Sequence, residues 1–162
     1  MERRLPVVSR APTTERTTVR GHPVSAMSFT LREHTADVAV EATGETLGDA
    51  FAAVADGLTA AMCDQLVETG ERFSFSVRAE SLEALLFDYL DHLIYERDVR
   101  GVLPAAHESI VREADDEWVV DASARGIPFT DVDARDVKAV TYSEMRLERT
   151  DEEWDAYVVF DV

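Results

Sequence analysis

The chain has 162 residues, enough for one domain with a core of its own and short of two. Hydrophobic residues make up 46%, no apolar run approaches the ~18 residues of a membrane helix, and the single cysteine, Cys63, excludes an internal disulfide framework. The formal net charge of −17 opposes direct binding to nucleic acid, whose phosphates are held by Lys and Arg.

These bounds point to a soluble protein of the reducing cytoplasm with no membrane association. The charge is unevenly spread: residues 1–26 carry five Arg against two Glu, and the remainder carries 11 basic and 31 acidic residues. Fifteen of the basic side chains are Arg and one is Lys138. An acidic, lysine-poor composition resembles that of extreme halophiles, so the charge reads as salt adaptation. Self-repulsion of this size opposes compaction until salt screens it. Stability should therefore rise with ionic strength, and unfolding curves equally stable in dilute buffer and molar KCl would overturn that reading.

In chain order, residues 1–26 mix Pro, Thr, Arg and Ser without an apolar period and lack the apolar centre of a secretory signal. They read as a disordered tail or as a start codon placed too early, with the domain running over 27–162. "SFTLRE" predicts a first strand, and Val38, Val40 and Ala42 alternate in a second that Gly44 breaks. Thr46 then caps a helix in which Leu47, Ala50, Phe51, Val54, Leu58, Ala61 and Met62 form an apolar face. "RFSFSVRA" alternates as a half-buried strand. Ser81 caps a second helix, where Leu82, Leu85, Leu86, Tyr89, Leu90, Leu93 and Ile94 recur at three and four residues. A hairpin follows, "ESIVREA" and "EWVVDASA" joined at Asp115 and Asp116. After a polar loop, "VKAVTYSEMRLER" and "WDAYVVFDV" are the last strands. Hairpins dominate, so the expected class is α+β, a single domain with two helices packed on a mixed or antiparallel sheet.

Three places could carry chemistry. His34, Thr35 and Asp37 crowd the start of the second strand. There Asp37 reads either as a turn-bracing acid or as a cation ligand, and His34 alone reads more simply as a hydrogen-bonded structural histidine. Lys138 is a point-like ammonium, suited to phosphate or carboxylate, or one surface lysine that remained. Asp161 and Val162 close an apolar strand, where the oxygens suit a hard cation and a frayed end is the plainer alternative. Zinc is not indicated, because one Cys and four scattered His offer no ligand spacing. Nor does any Walker loop, GxSxG or HExxH motif mark an enzyme.

"EHTADVAVEATGETLGDAFAAVADGL" (33–58), "AESLEALLFDYLDHLIYERD" (79–98), "VKAVTYSEM" (137–145) and the closing "VVFDV", taken in order, resemble the archease family over essentially all of residues 28–162. The resemblance implies the α+β fold already read from the pattern. It also implies an accessory protein, not an enzyme, that serves the RNA ligase sealing tRNA exons through a GMP–histidine intermediate. Such a protein promotes guanylylation and multiple turnover of the ligase, broadens its nucleotide use, and meets tRNA only through that partner. It further implies a divalent cation, Ca²⁺ before Mg²⁺, on Asp37, Asp161 and a main-chain oxygen of Val162. Lys138 becomes a residue for activating the partner, and His34 a residue that orients the Asp37 turn. Where the family commonly has His and Asp after "KAVTY", this chain has Ser143 and Glu144. A metal-dependent phosphohydrolase acting alone through Asp37 and Asp161 is the alternative.

Overall fold

The computed structural model describes residues 27–34 and 37–162, together with the backbone of 7–9 and 16–18; for 32–34 it likewise gives backbone only. Strands β1 (Val7–Ser9) and β2 (Arg16–Thr18) pair antiparallel, and β1 runs parallel to β3 (Ser28–His34) through Val8 and Leu31. The tail expected over 1–26 otherwise falls outside the described residues.

From β3 the chain follows the expected order. β4 (Asp37–Gly44) leads into helix α1 (Leu47–Met62), β5 (Glu71–Ala79), helix α2 (Leu82–Arg100) and the hairpin β6 (Val102–Ala114) and β7 (Glu117–Pro128). A 3₁₀ turn (Phe129–Asp131) and an irregular stretch then precede β8 (Ala139–Arg149) and β9 (Trp154–Asp161). The class is α+β, as the pattern requires, with the strands divided between two sheets: β2-β1-β3-β4-β9-β8 and β5-β7-β6.

The helix starts are set by their caps. Thr46 Oγ1 accepts the Asp49 N–H at 3.0 Å, and Ser81 Oγ accepts that of Ala84 at 3.1 Å. α2 stops at Gly101, whose left-handed φ of 67° lets its N–H return to the Arg97 carbonyl at 2.9 Å. α1 differs from the expected one-sided helix. It packs on β4 of one sheet and β6 of the other, so nearly every side between Ala50 and Thr59 is buried. The close seat needs Gly48, because a Cβ there would lie 2.3 Å from the Ser109 carbonyl oxygen of β6.

α2 lies against β5, β6, β7 and β8, with Leu85, Leu86, Tyr89, Leu90, Leu93 and Ile94 buried as their spacing predicts. An aromatic row ties the elements together. Phe51 of α1 meets Tyr89 of α2 at 5.6 Å, Tyr89 meets Phe75 of β5 at 6.0 Å, and Phe75 meets Phe73 at 6.2 Å. Cys63 is buried at the end of α1, a core filler as its surroundings suggest.

The β6–β7 turn falls at Asp115 and Asp116, both left-handed (φ 55° and 66°), the backbone that a two-residue hairpin asks for. β6 begins well before the "ESIVREA" stretch. The register slips between Ala105 and Glu108, where Ala106 is left-handed (φ 53°), and this bulge hides the period of the strand's first half.

Candidate functional site

Asp37 opens β4, and the antiparallel register seats it directly opposite Asp161, the last residue of β9. Directly opposed residues put their side chains on one face, with Cβ atoms about 4.5–5.5 Å apart. The same rung continues outward to Ala139 of β8 beyond Asp161 and to His34 of β3 beyond Asp37. Residues from both ends of the domain thus meet on one line across four strands. The Lys138 N–H donates to the Asp161 carbonyl at 2.7 Å, and Val162 follows, 41% exposed.

The chemistry of this rung is lopsided. Two carboxylates face each other on a partly open sheet end, an arrangement that repels unless something positive stands between them. Among the described residues Lys138 makes no ion pair, and no group of three or more His, Cys, Asp or Glu side chains could hold a metal. Two opposed carboxylates supplemented by main-chain oxygen and water suit a hard divalent cation, which takes oxygen ligands and keeps several waters.

The loop before Lys138 is anchored from both helices. Arg97 of α2 is buried and donates through Nη1 to the Val137 carbonyl at 2.8 Å. Arg135 sits at the end of α1, its N–H on the Met62 carbonyl at 2.6 Å and its guanidinium 3.0 Å from Asp64. Beyond Lys138, β8 bulges. Thr141 pairs with Val159 and Arg146 with Tyr157, so residues 142–145 stand opposite one residue. Glu144 is left-handed there (φ 61°), and Tyr142 lies flat on Phe87 of α2 at 4.1 Å. Ser143 and Glu144 are therefore exposed on this bulge.

The model of the archease protein family (MTH1598/TM1083) matches residues 29–162. The chain belongs to the archease family. Archeases of Pyrococcus furiosus and Thermococcus gammatolerans are 32% and 36% identical to it over 135 residues, which is 80% of this chain and 95% of each relative. The solution structure of Methanobacterium thermoautotrophicum protein 1598 superposes with a TM-score of 0.72 at 28% identity, over 84% of this chain and 98% of that one. The crystal structure of a Thermotoga maritima archease, described as a possible chaperone, gives 0.57 at 25% identity, over 80% and 94%. The archease match thus spans both helices and the strands from β3 to β9. No helix among its described residues is long and apolar enough to cross a membrane.

A second polar group, which the sequence reading missed, lies inside this archease domain. Asp56 of α1 accepts the His107 N–H at 3.4 Å, and burial pushes its carboxyl up to about 7. His107 sits in the β6 bulge, where burial holds its imidazole down to about 3. Thr59 Oγ1 donates to the Pro104 carbonyl at 2.7 Å and lies 2.8 Å from His107 Nε2. The available signal was Asp56 itself, a charge inside the run "AFAAVADGLTAAM".

Proposed function

We propose that this chain activates the tRNA-splicing RNA ligase of the GMP–histidine type, promoting its guanylylation and repeated turnover and widening its nucleotide use. The observation that carries the reading is the in-register opposition of Asp37 and Asp161, on the segments where the chain resembles the archease family. These two carboxylates, with a main-chain oxygen of Val162, would hold Ca²⁺ or Mg²⁺. A cation there supplies charge neutralisation for phosphate oxygens, which guanylyl transfer requires. The chain's own part is positional: the ladder fixes the two acids, and the Lys138 N–H fixes the Asp161 main chain beside them. The Lys138 side chain, exposed next to that rung, would meet the partner, and His34 would orient the hairpin before Asp37. Contact with tRNA would run through the ligase, in the cytoplasm.

Purified ligase, nucleotide and divalent cation, with and without this chain, test the reading directly. Guanylylation and multiple turnover should require both proteins. Asp37→Ala and Asp161→Ala should each lower the activation at least about tenfold, a loss that even the outer partners of a metal ligand bring. Phosphate-ester hydrolysis by this chain alone, abolished by the same substitutions, would instead establish the phosphohydrolase alternative.

A further inference from the structure

We infer that Arg97 is a positioning residue for the Asp37–Asp161 site, holding in place the main chain that joins Lys138 to Asp161. The inference rests on the cation reading proposed above. Residues 132–138 have no ladder of their own, and such connecting segments are mobile unless something ties them down. Two ties fall on adjacent residues. Arg97 Nη1 donates to the Val137 carbonyl at 2.8 Å, and the next N–H, that of Lys138, donates to the Asp161 carbonyl at 2.7 Å.

Arg97 is built for this grip. It lies on the buried stripe of α2, four residues after Leu93 and three after Ile94, where the spacing calls for an apolar side chain. A buried guanidinium is costly unless every prong is used. Here Nε donates to Asp98 at 2.9 Å, Nη2 lies 3.4 Å from Asp136, and Nη1 also contacts the Met62 sulfur at 3.5 Å. Asp98 and Asp136 are both exposed and well hydrated without the arginine, so neither explains why it is inside. The Val137 carbonyl does. Val137 is fully buried, and without Arg97 its oxygen would lose this donor. With Val137 fixed, Lys138 enters the sheet at one height, and the Asp161 main chain stays level with Asp37.

The test compares Arg97→Met, Arg97→Lys and Asp37→Ala with the wild type at 25 °C, after circular dichroism has shown each to be folded. Two quantities are read: Ca²⁺ affinity by calorimetry, and amide exchange at Lys138 by NMR, referenced to Val40 in the centre of β4. Arg97→Met keeps the stem but no donor. It should weaken Ca²⁺ binding about tenfold, as loss of outer-shell support does, and speed Lys138 exchange while Val40 stays protected. Arg97→Lys can place one N–H on Val137 and should recover part of both losses. If Asp37→Ala loses Ca²⁺ while Arg97→Met matches wild type in affinity and exchange, Arg97 merely packs and the inference fails. If Asp37→Ala binds Ca²⁺ like wild type, the cation reading falls and the inference falls with it. Should Arg97→Met not fold, Arg97→Lys decides: a measurable loosening at Lys138 supports the role, and wild-type exchange and affinity overturn it.

Discussion

Replacing Phe51 with alanine should destabilise the domain by about 3–5 kcal/mol and lower its melting temperature by roughly 10–15 °C. Phe51 is fully buried in α1, the helix that both sheets close upon. Its ring begins the row that continues through Tyr89 and Phe75 to Phe73. Truncation removes a large apolar surface and leaves a void that the surrounding backbone cannot fill, because Gly48 already holds α1 at contact distance from β6. Surface changes elsewhere usually stay within about 0.5 kcal/mol, so the contrast should be plain. Scanning calorimetry at high salt on Phe51→Ala decides the point; a loss below about 1 kcal/mol would mean that the row contributes little.

The second large effect is on pH dependence and comes from half-buried Asp56 and buried His107. The folded-state carboxyl of Asp56 is raised from 3.8 to about 7. Between these values the folded chain keeps a proton that the unfolded chain has lost, so stability falls as pH rises through the window, by roughly 4 kcal/mol in total. His107 is lowered from 6.5 to about 3. In that window the unfolded chain binds the proton, so stability falls as pH drops, by roughly 5 kcal/mol. The two slopes oppose each other from about pH 4 to 6.5 and largely cancel there. Asp56→Asn removes one of them and can still accept the His107 N–H. This variant should gain stability relative to wild type at pH 8 and lose it steeply on acidification below pH 6.5. Urea unfolding at constant salt from pH 4 to 8 measures the difference between the two proteins, in which the other titrating groups subtract out. A difference that stays flat across that range would show that Asp56 titrates normally in the folded state.

Much of the fold was legible because local rules and tertiary demand agree. The alternation in β4 and β5, the stripe of α2, the Thr46 and Ser81 caps and the turn at Asp115 and Asp116 each need only neighbouring residues to be read. What stayed hidden depends on distant partners. The first half of β6 is masked by the bulge at Ala106 and His107, and the burial of α1 on its second side comes from a sheet formed by residues far along the chain. Asp37 and Asp161 stood out in the sequence, and the archease resemblance implied a shared cation, but their direct opposition comes from the β4–β9 register. Arg97 could have been noticed, since it breaks an otherwise apolar stripe, but its target, a main-chain carbonyl, leaves no trace in residue identities.

The strand order carries a consequence for the order of assembly. β9, the last strand of the fold, is not at an edge; it is inserted between β4 and β8. On the ribosome β4 emerges early and must wait, one side unpaired, until nearly everything else has been made. Contacts so distant along the chain close slowly, and an unpaired strand edge meanwhile invites the wrong neighbour. The Asp37–Asp161 rung can form only at the final insertion. A nascent or truncated chain therefore has no such rung to offer, and competence for the site reports that folding has finished.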